Sequence, residues 1–205
     1  MAGPAKKQDK ALDRQRTVEI YAKAAQIFHR KGFDATSMSD IAEAVQLTKA
    51  GLYYYIHSKE QLLFEILSYA MEQLEVKVIQ PASEVVDAEE RLRDIIRRHG
   101  SMLTEGNKWI SILTDEVDCL SLKHRREIVE RKRAYLDLVR GTVEALRSEG
   151  KLRDVDASVA AFSLFGMLLW LPRWFKQGGR MSSSEVVDGV MDMALFGMFQ
   201  KGARE

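Results

Sequence analysis

Apolar residues recur every three or four positions through most of the chain, the signature of amphipathic helices. Val18, Ala22, Ala25 and Phe28 keep that spacing, with Tyr21 alongside, and Lys31-Gly32 supplies a stop. Ile41, Ala42 and Val45 form the next apolar face, behind a Thr36-Ser37-Met38-Ser39-Asp40 stretch rich in capping hydroxyls. A third short helix opens after Thr48. A fourth, longer one opens after Ser58 and is carried by Leu62, Leu63, Ile66, Leu67, Ala70 and Leu74 until Pro81 ends it. Three short helices feeding a long one, the second and third joined by a tight turn, fit a helix-turn-helix. Farther on, the periodicity predicts helices near 87–104, 107–119, 122–149, 156–176 and 183–200. No stretch alternates as a strand does, so the expected fold class is all-α.

The third helix departs from the pattern. Residues advance about 100° each around a helix, so Leu52 and Ile56 share a face while Tyr53, Tyr54 and Tyr55 all turn away from it. Clustered exposed aromatics mark a partner surface; one or two rings packing on a following domain is the other reading. Lys49 at the helix start, the bare backbone of Gly51 and the nearby Lys59 favour an anionic partner. Tyrosine hydroxyls and lysines contact phosphates, and a helix N-terminus attracts negative charge.

Charge agrees weakly. Residues 1–60 are net +3 and the remainder net −2, within a chain of net +1. The whole is no polycation, and a solvated surface explains this imbalance equally well. Lys6, Lys7, Lys10, Arg14 and Arg16 make a basic N-terminal arm over 1–14 and just beyond, either reaching a groove or acting as a solubilising tail. The opening MAGPAKKQDK has no apolar h-region of a signal peptide. Cys119 stands alone, which points to a reducing, cytoplasmic location without disulfides. The most apolar run, Ala157 to Pro172, falls short of a membrane span and is expected to be a buried helix.

The run Ala24-Ala25-Gln26-Ile27-Phe28, then Lys31-Gly32-Phe33, Ala35-Thr36-Ser37-Met38 and Ile41-Ala42, resembles the opening of TetR/AcrR-family regulators. The likeness continues through Val45, Thr48-Lys49-Ala50-Gly51-Leu52-Tyr53-Tyr54-Tyr55-Ile56, Lys59-Glu60 and Leu62-Leu63. Tyr55 stands where the family usually has histidine, so a possible imidazolium charge is lost. The resemblance implies a helix-turn-helix DNA-binding domain over 15–60 and a helical ligand-binding and dimerisation domain over 61–205. It implies phosphate contacts at Thr36, Tyr53, Tyr55 and Lys59, and base reading at Thr48, Lys49, Ala50, Gly51 and Tyr54. The expected partners are a palindromic DNA operator, a small-molecule effector and a second copy of the chain, with no membrane and no bound cofactor.

Two late helices are apolar almost all round: Phe162, Phe165, Met167, Leu168, Leu169 and Leu171 on one, Met191, Met193, Ala194, Leu195, Phe196, Met198 and Phe199 on the other. Such helices need burial, and two per chain pairing across a two-fold form a four-helix bundle. Trp170-Leu171-Pro172-Arg173-Trp174-Phe175-Lys176-Gln177-Gly178-Gly179 resembles a segment of family members that sense acyl-coenzyme A thioesters. That resemblance implies an apolar tunnel with a basic, aromatic mouth at Trp170, Arg173, Trp174 and Lys176. Met102, Trp109, Leu113, Phe165 and Leu169 are candidates for its lining. The alternative is a helix end with interface tryptophans.

Catalytic and metal motifs are missing from the sequence. His29, His57, His99 and His124 are scattered, and Asp118, Cys119 and His124 make at most a partial metal site. No enzyme is expected. A helical lipid carrier or an adaptor would need the second domain but leaves the tyrosine helix unexplained.

Overall fold

A computed structural model describes residues 4–105 and 116–198. Helix α1 (Pro4–Lys31) opens on a proline, which suits a first helical position because no N–H is lost there. The segment expected as an arm is therefore helical from residue 4, in keeping with its Ala, Lys, Leu, Gln and Arg content. Ile20, Ala24, Ala25, Ile27 and Phe28 turn one face inward. The helix stops at Gly32, whose φ of +80° suits glycine and whose N–H donates to Phe28 O at 2.8 Å.

Helix α2 (Met38–Ala44) starts on Ser37 rather than Thr36 or Ser39. Ser37 Oγ accepts from Asp40 N–H at 3.1 Å, and Asp40 Oδ2 accepts from Ser37 N–H at 2.8 Å. This reciprocal box, with Lys31 Nζ at 3.0 Å from Asp40 Oδ1, holds the Asp40 carboxyl well below the usual carboxylate range. The Ser37 hydroxyl is the leading cause.

The end of α2 sets the turn. Gln46 N–H donates to Glu43 O at 3.0 Å and Leu47 N–H to Ala42 O at 2.9 Å, which closes a Schellman motif. Gln46 occupies the left-handed position at φ 55°, the one non-glycine residue to do so among the described residues. Helix α3 (Lys49–Tyr55) follows at once, with Thr48 Oγ1 accepting from Gly51 N–H at 3.0 Å.

Helix α4 (Lys59–Leu74) is started by Ser58, whose Oγ accepts from Gln61 N–H at 3.0 Å. Leu62, Leu63, Ile66, Leu67 and Ala70 are fully buried along it. Pro81 does not end this helix, contrary to the expectation from its chemistry alone. The backbone first widens into a π segment over Glu75–Ile79, and Pro81 then falls in the first turn of α5 (Gln80–Glu84). The chain runs on from the π segment without a cap, Gln80 N–H donating to Glu75 O, and the missing proline N–H falls just where the backbone returns from π to α register.

The remaining helices are α6 (Ala88–Thr104), α7 (Leu122–Ser148), α8 (Ala157–Trp174) and α9 (Ser183–Met198). A 3₁₀ turn at Val117–Cys119 precedes α7. Asp87 caps α6 by accepting from Glu90 N–H at 2.9 Å, and Asp156 caps α8 through two N–H groups. Pro172 lies inside α8, which ends two residues later at Trp174.

The chain forms two compact units. The first takes residues 4–70 and 116–128, the second 71–105 and 129–198. The two units meet along the chain at 70/71 and at 128/129, and in the first unit Glu60 accepts from Ser121 N–H at 2.9 Å. In the second unit α6 packs against α8 and α9. Gly100 allows this closeness: a Cβ there would lie 2.9 Å from Val187 side-chain carbons. By length and composition α8 reaches the range of a short membrane span, but Ala160, Ala161, Leu164, Leu168 and Leu171 bury one of its faces within this unit. Within the single chain, this helix, expected to be buried, is covered on one side.

An L-residue in the left-handed region costs about 1–2 kcal/mol, part of which glycine gives back in unfolded-state freedom. Gln46→Gly is expected to stabilise the chain by about 1 kcal/mol, read as a higher urea midpoint with an unchanged slope.

Candidate nucleic-acid interface and ligand site

Helix α3 is held from behind by its apolar residues. Leu52 and Ile56 are fully buried. Tyr54 is 79% exposed and Tyr53 41%, while Tyr55 is half-buried with its ring edge-on to Tyr54 at 5.1 Å. Thr48, Lys49 and Ala50 are exposed, and Gly51 is half-buried. A Cβ on Gly51 would sit 3.2 Å from the capping Thr48 Oγ1, so the glycine also protects the cap. Together these residues present hydroxyls, an ammonium, a methyl group and aromatic rings on one short helix, with a half-open N-terminal turn.

Two expected contact residues are engaged elsewhere. Thr36 is 2% exposed and its hydroxyl donates to Gly32 O at 2.8 Å, so it ties the end of α1 to the following loop. Lys59 Nζ donates to Phe33 O at 2.7 Å, Thr36 O at 2.9 Å and Asp34 O at 3.3 Å, and lies 4.3 Å from the Phe33 ring centroid. An ammonium has three N–H donors, and here all three have acceptors within the protein. Both residues shape the loop instead of presenting a free donor. Arg16, expected in a groove-seeking arm, behaves similarly. Its Nη2 donates to Val45 O at 2.7 Å, at the negative end of α2, and its Nη1 pairs with Glu19 at 2.6 Å. The side chains of Lys6, Lys7 and Lys10 lie outside the described residues.

Asp118, Cys119 and His124 do not converge. Asp118 pairs with Arg125 at 2.7 Å, Cys119 Sγ lies 3.4 Å from Glu116 Oε2, and His124 Nδ1 lies 2.9 Å from Glu60 Oε1. Burial raises the Cys119 thiol to about 11, with Glu116 adding to it. Burial alone would raise Glu60 too, but hydrogen bonds from Ser121 and His124 outweigh it and lower its pKa. The His124 ring stacks on Phe64 at 3.8 Å. These contacts fasten the start of α7 to α4 within the first unit.

In the second unit the candidate ligand residues divide. Met102 is buried, and Phe165 and Leu169 are half-buried. Trp109 and Leu113 lie outside the described residues. Trp170, Arg173, Trp174 and Lys176 are exposed, with the Arg173 guanidinium carbon 5.2 Å from the Trp170 ring centroid. Trp170 and Trp174 continue an exposed stripe with Val159 and Phe162 on α8, and Met193 and Phe196 are exposed on α9. The tryptophans thus stand on an outward apolar face of α8, apart from the inward Met102. Sequence spacing missed the pair His99 and Tyr135. Both are buried, with Tyr135 Oη 3.1 Å from His99 Nδ1 and the Phe165 ring edge-on to the tyrosine at 5.2 Å. Burial lowers the His99 pKa to about 4, so the imidazole is neutral near pH 7.

Two family models match the chain: one described as bacterial regulatory proteins of the tetR family, over residues 20–66, and one as a tetracyclin repressor-like C-terminal domain, over 85–198. The solved structure of AibR with isovaleryl coenzyme A and operator DNA is 37% identical, with a TM-score of 0.80, over 87% of this chain and 97% of that one. The TetR family regulator PfmR of Thermus thermophilus is 31% identical, with a TM-score of 0.76, over 86% and 97%. The HTH-type transcriptional repressor KstR2 of Rhodococcus jostii (strain RHA1) is 26% identical over 89% of this chain and 91% of its own.

The Lys59 geometry separates folding from recognition. Lys59→Ala is expected to destabilise the protein by on the order of 3 kcal/mol, since charged hydrogen bonds contribute about 1.5–3 kcal/mol and the Asp34 and Thr36 carbonyls lose this donor, while Phe33 O keeps Thr36 N–H. Lys49→Ala should leave the melting temperature within a degree or two of wild type. Paired thermal unfolding curves check this, and equal melting temperatures for the two variants would contradict it.

Proposed function

The chain belongs to the TetR family of bacterial regulatory proteins, and from that premise we propose that it is a dimeric repressor released from a palindromic operator by an acyl-coenzyme A thioester. As a family member it is a transcriptional regulator that binds DNA, not an enzyme. The observation that carries the DNA reading is α3, whose Leu52 and Ile56 are buried while Tyr53, Tyr54, Lys49 and Ala50 are exposed. In our assignment residues 15–60 form the DNA-binding domain and 61–205 the ligand-binding and dimerisation domain, in the cytoplasm.

Tyr53 and Tyr55 hydroxyls donate to phosphates, while Thr48, Lys49, Ala50, Gly51 and Tyr54 face base edges. Ala50 suits a thymine methyl group and Lys49 the acceptors of guanine. So short a helix binds weakly alone, and two copies linked across a two-fold gain by effective concentration on two half-sites. The stripe Val159, Phe162, Trp170 and Trp174, with Met193 and Phe196, supports that dimer: exposed apolar surface of this extent is a pairing surface.

The effector assignment is supported by AibR, whose structure holds both isovaleryl coenzyme A and operator DNA. Apolar Met102, Phe165 and Leu169 suit an acyl chain, each buried CH₂ contributing about 0.8 kcal/mol. Arg173 and Lys176, at the C-terminal edge of α8, are assigned to the coenzyme phosphates. Release requires the thioester to favour a conformation in which the two copies of α3 no longer fit successive major grooves; equal affinity for both conformations would shift nothing. The chain from α4 through the π segment into α5 joins the two units and is the route for that coupling.

The test is a fluorescence-anisotropy titration on the promoter DNA of the chain's own gene, with isovaleryl coenzyme A added to the complex. Wild type should release DNA. Arg173→Ala should bind DNA as well as wild type but need about tenfold more thioester, the equivalent of one charge-assisted hydrogen bond. Release by a different apolar ligand, with no thioester response, would keep the repressor and remove the coenzyme.

A further inference from the structure

We propose that His99 is the polar anchor of the effector site, its Nε2–H donating to the neutral carbonyl oxygen of the bound ligand. This deepens the thioester-responsive reading and rests on it. His99 is 2% exposed, and its Nε2 has no hydrogen-bond partner. Buried polar groups in folded proteins are almost always paired, so an orphaned donor in a core calls for an occupant. The tautomer follows from Tyr135. That hydroxyl lies 3.1 Å from Nδ1, and burial holds its proton by raising its pKa far above the ordinary value. Nδ1 is the one acceptor the Tyr135 hydroxyl meets among the described residues, so in the proposed arrangement the phenol is the donor to Nδ1, with the single proton of the neutral ring on Nε2.

The surroundings define the ligand class. Phe165 lies edge-on to both rings, at 6.2 Å from His99 and 5.2 Å from Tyr135. Met102 and Leu103, three and four positions along α6, are both buried on the same helical side. None of these residues carries a charge. A neutral donor in an uncharged apolar setting favours a neutral acceptor over a carboxylate, whose desolvation nothing here offsets. The fitting ligand is an apolar acyl group with one carbonyl, as in a thioester, and not the free acid.

Calorimetric titration of the full chain with isovaleryl coenzyme A and with its thioether analogue, S-(3-methylbutyl) coenzyme A, isolates that one oxygen. Wild type should bind the thioester about tenfold tighter, the equivalent of one net hydrogen bond. His99→Phe should bind the two alike. If wild type binds both equally, or His99→Phe keeps the preference, His99 is a core residue whose Nε2 is served by water, and the proposal is overturned while the thioester reading stands. If wild type binds neither, the thioester reading falls and this inference with it. Nitrogen-15 NMR of wild type covers a variant that fails to fold. The Nε2–H resonance of His99 should move with the thioester and stay with the thioether, and an unmoved resonance under bound thioester overturns the proposal.

Discussion

Three carbonyl oxygens of the loop after α1 point at one ammonium group. Phe33, Asp34 and Thr36 lie at the chain's first change of direction, where their oxygens are left without helical donors, and Lys59 Nζ reaches all three. Lys59 is also the first residue of α4. The same contact therefore ties the end of one helix to the start of another, with α2 and α3 between them. The geometry of α3 follows from this closure. Its inner face is taken by Leu52 and Ile56, the Thr48 cap fixes its first turn, and its outer residues have nowhere to go but solvent. Arg16 on Val45 O and the Ser37–Asp40 box secure the other side of the same small domain.

Function is laid over this frame by division of labour. Residues that hold the frame are buried or fully hydrogen-bonded, as Thr36 and Lys59 are. Residues left for a partner are exposed and sit on a short, capped helix. The second unit repeats the logic in apolar terms. α8 buries Leu164, Leu168 and Leu171 within the chain and turns Val159, Phe162 and Trp170 outward. An apolar residue on that outer face contributes nothing to the single chain's core, and in the proposed function it meets a second copy.

Much of this was legible in the sequence because it is local. Helical periodicity, the Thr48 and Ser58 caps and the outward tyrosines depend on residues within one or two turns of each other. What the sequence hid depends on distance. Lys59 meets carbonyls 23 to 26 residues earlier, Arg16 meets Val45 across 29, and His99 meets Tyr135 across 36. No spacing rule reaches that far, so a lysine already bonded within the fold looked like one available to phosphate. Pro81 misled for another reason. The π segment ahead of it shifts the register and puts the proline in a first turn, and no residue pattern announced that shift. Trp170 and Trp174 were ambiguous between ligand mouth and pairing face, and their exposure in line with Val159 and Phe162 favours the latter.

Amide hydrogen exchange with and without promoter DNA reports on the backbone of α3 without any substitution. DNA should slow exchange over residues 48–55, with the α6 amides around His99 unchanged. Tight DNA binding with no added protection over 48–55 would contradict the assignment of α3 to DNA, and would place the nucleic-acid contact on some other surface of the protein.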